Sequence, residues 1–168
     1  MKSKIIRLFI FGLVVFILSG CGPSEEETLA TIETMIDSTF DNQRSQPNHE
    51  FASFDIYLPD QISVIEETES NLIFTDQDQT YILFYNTLEA QDSRFFYQSA
   101  KASENYALLE AYEDDNRFGY VKVAEVEDNY ELQVGVGGVR LTTHTSLDEM
   151  DQDLTKMVTM VNSIDFHQ

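Results

Sequence analysis

YELQVGVGGVRLTTHTSLDEMDQDLTKMVTMVNSIDF, residues 130–166, contains the patterns that decide the fold class. Residues 130–136 and 139–144 alternate apolar and polar side chains or are rich in β-branched residues, and Gly137-Gly138 between them is typical of a two-residue hairpin turn. Apolar side chains then recur every three or four residues, which indicates an amphipathic helix: Leu147, Met150, Leu154, Met157, Val161 and Ile164. A hairpin followed by such a helix predicts an α+β protein with a C-terminal helix packed on an antiparallel sheet.

The start of this helix also has a sequence signature. Ser146-Leu147-Asp148-Glu149 has the spacing of a capping box, in which a serine and a glutamate satisfy free backbone N–H groups of the first turn. We therefore expect the helix to begin at Ser146.

Further strands are predicted upstream of this stretch. Runs rich in β-branched and aromatic residues, separated by polar turns, occupy residues 54–58, 62–65, 71–75, 80–85, 106–113 and 117–126. Residues 93–103 fit either a strand or a helix, and Phe96 with Ala100 after Asp92-Ser93 favours the helix. The sequence thus predicts two antiparallel meanders, about six to eight strands in all, covered by helices.

The segment before the strands predicts a helix and a linker. Ser24-Glu25-Glu26-Glu27 provides an acidic first turn, and apolar residues follow at helical spacing, so we expect a helix over residues 24–40. Residues 41–50 are polar and predict a linker. We expect residues 21–50 to form an N-terminal segment, and residues 51–168 to form a single α+β domain.

Residues 1–20 have the layout of a secretory signal. Lys2, Lys4 and Arg7 precede an apolar run over residues 8–18, which is shorter than the roughly 20 residues that a membrane-spanning helix needs. The run ends in Leu18-Ser19-Gly20-Cys21, which resembles the bacterial lipobox. The resemblance implies cleavage between Gly20 and Cys21 and attachment of a diacylglyceryl group to Cys21. Two acyl chains anchor a protein stably, so we expect a lipoprotein on the extracytoplasmic face of a bacterial cell membrane.

The charge of the chain excludes several classes of partner. Three of the ten Lys and Arg residues lie in residues 1–20, which leaves seven against 30 Asp and Glu, a net charge of −23. Such a polyanion repels nucleic acid and anionic lipid headgroups. Twelve Phe and eight Tyr residues favour a folded core over disorder. Because the carboxylates are dispersed, they favour a hydrated surface over a site that captures cations or a basic partner, the alternative interpretation.

No pattern of a catalytic site or a zinc site is present in the sequence. The chain has no second cysteine and no Gly-x-Ser-x-Gly elbow, and His49, His144 and His167 stand far apart. None of them has the short spacing to another ligand that zinc requires. We therefore expect no catalytic or cofactor-binding residues and no enzymatic activity.

Two groups of aspartates have spacings that suggest calcium ligands. Asp76-x-Asp78 resembles the start of an EF-hand loop, but Tyr81 and Thr87 stand where the loop requires glycine and glutamate. Asp148, Asp151 and Asp153 fall in the first turns of the C-terminal helix, where the helix dipole favours carboxylates without an ion. We expect no metal site at either group.

Two segments of the chain resemble a known family. Residues 54–59 with Ile62, and residues 157–166, are similar to the first strand and last helix of PsbP-like domains, including the bacterial DcrB-type lipoproteins. The resemblance spans about residues 50–166. It implies an antiparallel sheet of about six strands covered by helices, and an accessory or assembly role rather than catalysis. The family often has Trp where Ile62 stands, and this chain contains no Trp.

These patterns lead to one expected function and two alternatives. We expect a membrane-anchored lipoprotein that acts as a non-catalytic accessory or binding module with a protein partner. The first alternative is a ligand-binding lipoprotein, which would need a concave apolar pocket. The second is an enzyme, which would need polar groups with perturbed pKa values clustered in a cleft.

Overall fold

The computed structural model describes residues 22–42 and 44–167, so Gly20 and Cys21 lie outside the described residues. Three helices are described: α1 (Glu25–Asp41), α2 (Phe95–Ala102) and α3 (Met150–Asn162). The strands are β1 (His49–Glu50), β2 (Phe54–Ile56), β3 (Ser63–Glu67), β4 (Asn71–Asp76), β5 (Gln79–Tyr85), β6 (Leu108–Glu113), β7 (Phe118–Val126), β8 (Asn129–Val136), β9 (Val139–Thr145) and β10 (Asp165–Phe166). Within the described residues no helix is long and apolar enough to cross a membrane.

The predicted α+β fold is confirmed. Seven antiparallel strands form one sheet in the order β3-β4-β5-β9-β8-β7-β6, and β1, β2 and β10 form a small second sheet. The two predicted meanders, β3–β5 and β6–β9, join in one sheet because β5 pairs with β9, with Leu83 opposite Leu141. The hairpin at Gly137-Gly138 forms as predicted, and Gly137 has a φ of +53° that favours glycine.

One face of the large sheet carries the main core. Helices α1 and α3 pack on each other and on this face, because apolar side chains of β4, β5, β7, β8 and β9 alternate toward them. The predicted stripe of α3 is buried, with Met150, Leu154 and Met157 each 0% exposed. The opposite face is covered in part by α2, whose Phe96 and Ala100 pack against Phe118 and Tyr120. Residues 93–103 thus contain the helix that the sequence favoured.

Helix α1 belongs to the folded body. Ile32, Ile36 and Phe40 are buried in the main core, and α1 packs along α3. The sequence instead placed the start of the folded domain after residues 41–50. The helix begins with a true capping box that the sequence analysis did not identify: Ser24 Oγ accepts from Glu27 N–H, and Glu27 Oε2 accepts from Ser24 N–H, both at 3.3 Å.

The predicted capping box at Ser146 is wrong. Helix α3 begins at Met150, its N-cap residue is Glu149, and no side chain caps it. Residues 147–149 form a turn, in which Glu149 N–H donates to the carbonyl of Ser146. Leu147 packs against the core from this turn rather than from the helix. Burial of Leu147 and Met150 therefore outweighs the local capping pattern.

The end of the sheet at which β4, β7 and β9 finish also contains the first turns of α1 and α3. Strand pairing fixes this arrangement, because the turns at residues 77–78 and 127–128 and the end of β9 all lie on the same side of the sheet. The N-terminus of α1 lies here too, since Glu25 neighbours Tyr130 of β8: burial, reinforced by the hydrogen bond to Glu25, raises the pKa of that tyrosine. We call this side of the molecule the α1/α3 N-terminal end.

The opposite end is held by a polar cluster. The Arg117 guanidinium donates to Asp114 Oδ2 at 2.6 and 2.8 Å and to Asn162 Oδ1 at 3.0 Å. Tyr112 Oη donates to Asp41 Oδ1 at 2.6 Å. These contacts link the last residues of α1 and α3 to the β6–β7 turn, so both helices are fixed at this end as well.

Candidate functional site: a polar cleft at one end of the sheet

A large cleft in the described part of the chain lies at the α1/α3 N-terminal end. It has a volume of about 760 Å³, is open to solvent, and lies between the β4–β5 turn, the end of β9 and the first turns of α3. Its rim carries mostly amide and carboxylate side chains: Gln61, Gln77, Asp78, Asn129, Glu149 and Gln152. Its floor is formed by Asp76, Gln79, Asp153 and Lys156.

Asp153 is the centre of the floor. Its side chain lies on the core-facing side of α3, three residues after Met150, and the residue is only 3% exposed. Asp153 Oδ2 accepts hydrogen bonds of 2.7 Å from Gln79 Nε2 and from Thr145 Oγ1. Asp153 Oδ1 lies 3.0 Å from Tyr81 Oη and 3.6 Å from Lys156 Nζ. A buried carboxylate is stable only with such partners, and Asp153 thereby ties α3 to both β5 and β9.

Among the described residues that line the cleft, Lys156 is the only Lys or Arg. One turn after Asp153, its ammonium group donates hydrogen bonds of 2.9 Å to Asp76 Oδ2 and to Tyr81 Oη. The Lys156 side chain is 19% exposed and that of Asp76 is 11% exposed, so the ion pair is largely shielded from water. The pair joins α3 to the end of β4.

Tyr81 connects the carboxylate and the ammonium group. Its residue is 0% exposed, and its hydroxyl accepts from Lys156 Nζ. The single hydroxyl proton faces two acceptors, Gln79 Oε1 at 2.7 Å and Asp153 Oδ1 at 3.0 Å. The floor is therefore one connected hydrogen-bond network in which each polar group restrains its neighbours.

The pKa values of Tyr81 and Lys156 are both raised, which takes them further above neutral pH. Burial, reinforced by the Asp153 carboxylate, raises the pKa of Tyr81 well above its usual value of 10.0. Burial alone would lower the pKa of Lys156, but its contacts with Tyr81, Asp76 and Asp153 outweigh burial and raise the pKa above 10.5. At neutral pH the tyrosine is therefore protonated and the lysine is charged. Neither group is tuned for proton transfer near pH 7.

The chemistry available on the rim is hydrogen bonding. Gln61, Gln152 and Asn129 are exposed amides that can donate and accept, and Asp78 and Glu149 are carboxylates that accept. His144 is exposed on the same rim. A rigid, fully paired floor below an adaptable polar rim is suited to recognising a polar surface or ligand.

The structure does not bring the three histidines together. His144 lies on the cleft rim, His49 lies next to Asn48 in the small sheet, and His167 Nε2 lies 3.1 Å from Asp55 Oδ1. The hydrogen bond to Asp55 is the largest contribution that raises the pKa of His167, an exposed side chain. No histidine shares a site with another one in the described residues.

The two groups of aspartates are separated as well. Asp153 points into the buried network, whereas Asp148 and Asp151 are exposed. Asp76 pairs with Lys156, and Asp78 lies on the rim. The helix dipole alone, which the sequence had suggested, does not account for Asp153, because hydrogen bonds from Gln79 and Thr145 also hold its side chain. Among residues 22–42 and 44–167, no group of three or more His, Cys, Asp or Glu could hold a metal ion.

The sequence analysis missed this network, although part of its signal was available. Asp153 is three residues after Met150 and four before Met157, so helical spacing places its carboxylate on the apolar face. A carboxylate on such a face needs a buried partner. Gln79 and Tyr81 alternate onto the core-facing side of β5, but their pairing with α3 depends on tertiary packing, which no local pattern specifies.

Comparison with known proteins identifies no relative. No protein-family model, no curated protein sequence and no solved structure matches this chain significantly.

Proposed function

We propose that this protein is a lipoprotein anchored through Cys21 to the extracytoplasmic face of a bacterial cell membrane, where it acts as a non-catalytic accessory or binding module. The anchor is supported by the sequence of residues 1–21, with its basic start, apolar run and lipobox-like end at Leu18-Ser19-Gly20-Cys21. We propose the polar cleft as the surface that contacts the partner.

One observation carries the non-catalytic assignment. In the cleft floor, Asp153, Tyr81 and Lys156 are bound to one another, and the pKa values of Tyr81 and Lys156 are raised away from neutral pH. General acid–base catalysis favours a group whose pKa lies near the working pH. The floor instead resembles a structural network that fixes the shape of the rim.

The polar lining favours a protein partner over an apolar ligand. The rim residues are amides, carboxylates and a histidine, whereas small-molecule pockets are lined mainly by apolar and aromatic side chains. The sequence resemblance of residues 54–59 and 157–166 to PsbP-like domains, whose members act as accessory or assembly factors, also favours this role.

The anchor can be tested by replacing the lipidated residue. In bacterial cells, Cys21→Ser should abolish lipidation, so the protein should leave the membrane fraction or be retained with its signal uncleaved, which a mass measurement distinguishes. The parent protein should carry the mass of a diacylglyceryl group on Cys21. A Cys21→Ser protein that is fully processed and still resists a salt wash of the membranes would contradict the lipid anchor.

The role of the cleft can be tested by site-specific crosslinking. A photoreactive amino acid at Gln152, an exposed rim residue, should crosslink one discrete protein in intact membranes. The matched control is the same amino acid at Lys101, which is exposed on α2 at the other face of the sheet. Equal crosslinking from both positions, or none from Gln152, would contradict the cleft as the contact surface.

A further inference from the structure

We infer that the α1/α3 N-terminal end of the domain, including the mouth of the cleft, faces the membrane bilayer. The inference rests on the proposed lipidation of Cys21 and adds an orientation to it. It follows from the short stretch of chain between Cys21 and α1, from how the N-terminal end of α1 is fixed, and from the charges around it.

The tether is too short to let the domain turn freely. Only Gly22, Pro23 and Ser24 separate Cys21 from the first residue of α1. Four Cα–Cα steps join Cys21 to Glu25, and they span at most about 14 Å when fully extended. The first residue of α1 therefore lies within about 14 Å of the Cα atom of Cys21.

The beginning of the chain is fixed to the body of the domain. Ser24 and Glu27 close the capping box of α1, whose Ile32 and Ile36 are buried in the main core. Gly22 lies beside Asp148, since a Cβ on Gly22 would be 3.6 Å from Asp148 Oδ1. The anchor thus meets the molecule at the turn that precedes α3, close to the cleft residues Ser146 and Glu149.

This end of the domain is acidic. Exposed or half-exposed carboxylates surround the tether: Glu25, Glu26, Glu27, Glu127, Asp128 and Asp148. The cleft residue Lys156 is already paired with Asp76. Arg94 and Arg117 lie at the opposite end, near the β6–β7 turn, where they are paired with Glu113 and Asp114.

The length of the tether and the charge of the α1/α3 N-terminal end together decide which kind of lipid surface can lie beside this end. The Debye length is about 8 Å at physiological ionic strength, so screening weakens the interaction with the headgroups at the full reach of the tether but does not remove it at closer approach. Anionic lipids repel this end and zwitterionic lipids do not. The α1/α3 N-terminal end therefore lies more readily beside a zwitterionic bilayer surface than beside an anionic one, and the cleft offers its protein partner a contact surface at the level of the headgroups.

The chain offers a clean way to test this orientation. Because Cys21 is the only cysteine and is blocked by the lipid, Asp128→Cys and Asn116→Cys each introduce a single free thiol for a fluorescent label. Asp128 lies in the β7–β8 turn at the proposed membrane-facing end, and Asn116 lies in the β6–β7 turn at the other end. Strand β7 has nine residues, so the two turns are about 30 Å apart.

The measurement is quenching of each label by headgroup-labelled lipid. Full-length lipidated protein is reconstituted into phosphatidylcholine vesicles, and the vesicles are floated on a density gradient. We expect several-fold stronger quenching of the label at position 128 than at position 116. Adding phosphatidylglycerol should reduce the quenching at position 128, and the combined variant Glu26→Gln, Glu127→Gln, Asp148→Asn should restore it.

A matched control changes the same amount of charge elsewhere. The combined variant Glu66→Gln, Glu67→Gln, Asp115→Asn removes three exposed carboxylates at the opposite end and should restore nothing. Protein that floats but shows equal quenching at positions 128 and 116 overturns the orientation and leaves the anchor intact. Protein that does not float, or whose mass lacks the diacylglyceryl group, overturns the lipid anchor and the orientation with it.

Discussion

The carboxylate of Asp153 in helix α3 accepts a 2.7 Å hydrogen bond from the hydroxyl of Thr145, at the end of the strand that leads into that helix. The same oxygen accepts from Gln79 of β5. One buried carboxylate therefore connects the last helix to two central strands, and its removal tests how much the network contributes.

Asp153→Ala should destabilise the domain by about 3 kcal/mol, because it removes the acceptor of the two 2.7 Å bonds from Gln79 and Thr145 and one of the two carboxylates beside Lys156. Thermal or urea unfolding measures this change. Asp151→Ala, at an exposed position of the same helix, is the control and should change stability by less than about 0.5 kcal/mol. Equal effects of the two substitutions would mean that the network is not stabilising.

Two buried tyrosines should respond to phenylalanine in opposite ways. Tyr81 Oη has three partners, so Tyr81→Phe should cost about 1–2 kcal/mol. Tyr120 is 2% exposed, and its hydroxyl has no hydrogen-bond partner among the described residues, so Tyr120→Phe should be neutral or stabilising. Unfolding of the two variants in parallel gives the comparison. A larger loss of stability at Tyr120 than at Tyr81 would contradict this assignment.

Stability should fall in alkaline solution. In the unfolded chain, tyrosine loses its proton near pH 10.0 and lysine near pH 10.5. In the folded chain, burial raises the pKa of Tyr81 above 10.0, and the contacts of Lys156 with its neighbours raise the pKa of Lys156. A hydrogen bond to Asp41 likewise raises the pKa of Tyr112 to about 12. Above pH 10 the folded state binds more protons than the unfolded state, so the free energy of unfolding decreases as pH rises.

The alkaline effect can be assigned to individual residues by urea unfolding between pH 8 and 11. Tyr81→Phe and Lys156→Met should each give a shallower decrease than the parent protein. If the free energy of unfolding stays constant between pH 8 and 11, these groups have the same pKa values in the folded and the unfolded chain.

The apolar stripe of α3 should be essential for stability. Leu154 and Met157 are each 0% exposed, so Leu154→Ala or Met157→Ala should cost about 2–5 kcal/mol. Thr155→Ala, at an exposed position between them, is the control. Unchanged melting temperatures for both core variants would place the helix outside the cooperative unit.

Salt should stabilise the domain without a specific ion. With a net charge of −23 after residue 20, NaCl should raise the melting temperature by screening repulsion between carboxylates, and calcium chloride at equal ionic strength should do only slightly better. Residues 22–168 are suitable for this titration. A saturable shift below about 1 mM calcium would instead reveal a calcium site.

Local patterns predicted most of the strands and the helices. Alternation and β-branched runs located β4 to β9, because these strands have one face in the core and follow the two-residue period. The pairing of β10 with β2, through Phe166 opposite Phe54, could not be predicted, because it joins two distant short segments. The start of α3 was wrong because Ser146 and Glu149 have the spacing of a capping box but lie in a turn.

The cleft was less predictable than the fold. Its floor combines Asp76 and Tyr81 from neighbouring strands with Asp153 and Lys156 from α3, and only the pair within α3 is close in sequence. The anchor residue, Cys21, could be proposed because a signal is a continuous pattern. A site assembled from three elements has no such continuous pattern.

The packing of α1 against α3 has a consequence for how the chain folds. The two helices are the first and the last of the described part, with the whole large sheet between them in sequence. Contacts between distant segments form slowly, because a long loop must be closed before they are made. During synthesis α1 emerges long before its partner, so its apolar side stays uncovered until α3 has left the ribosome. The core of this protein is therefore completed only after α3 has emerged.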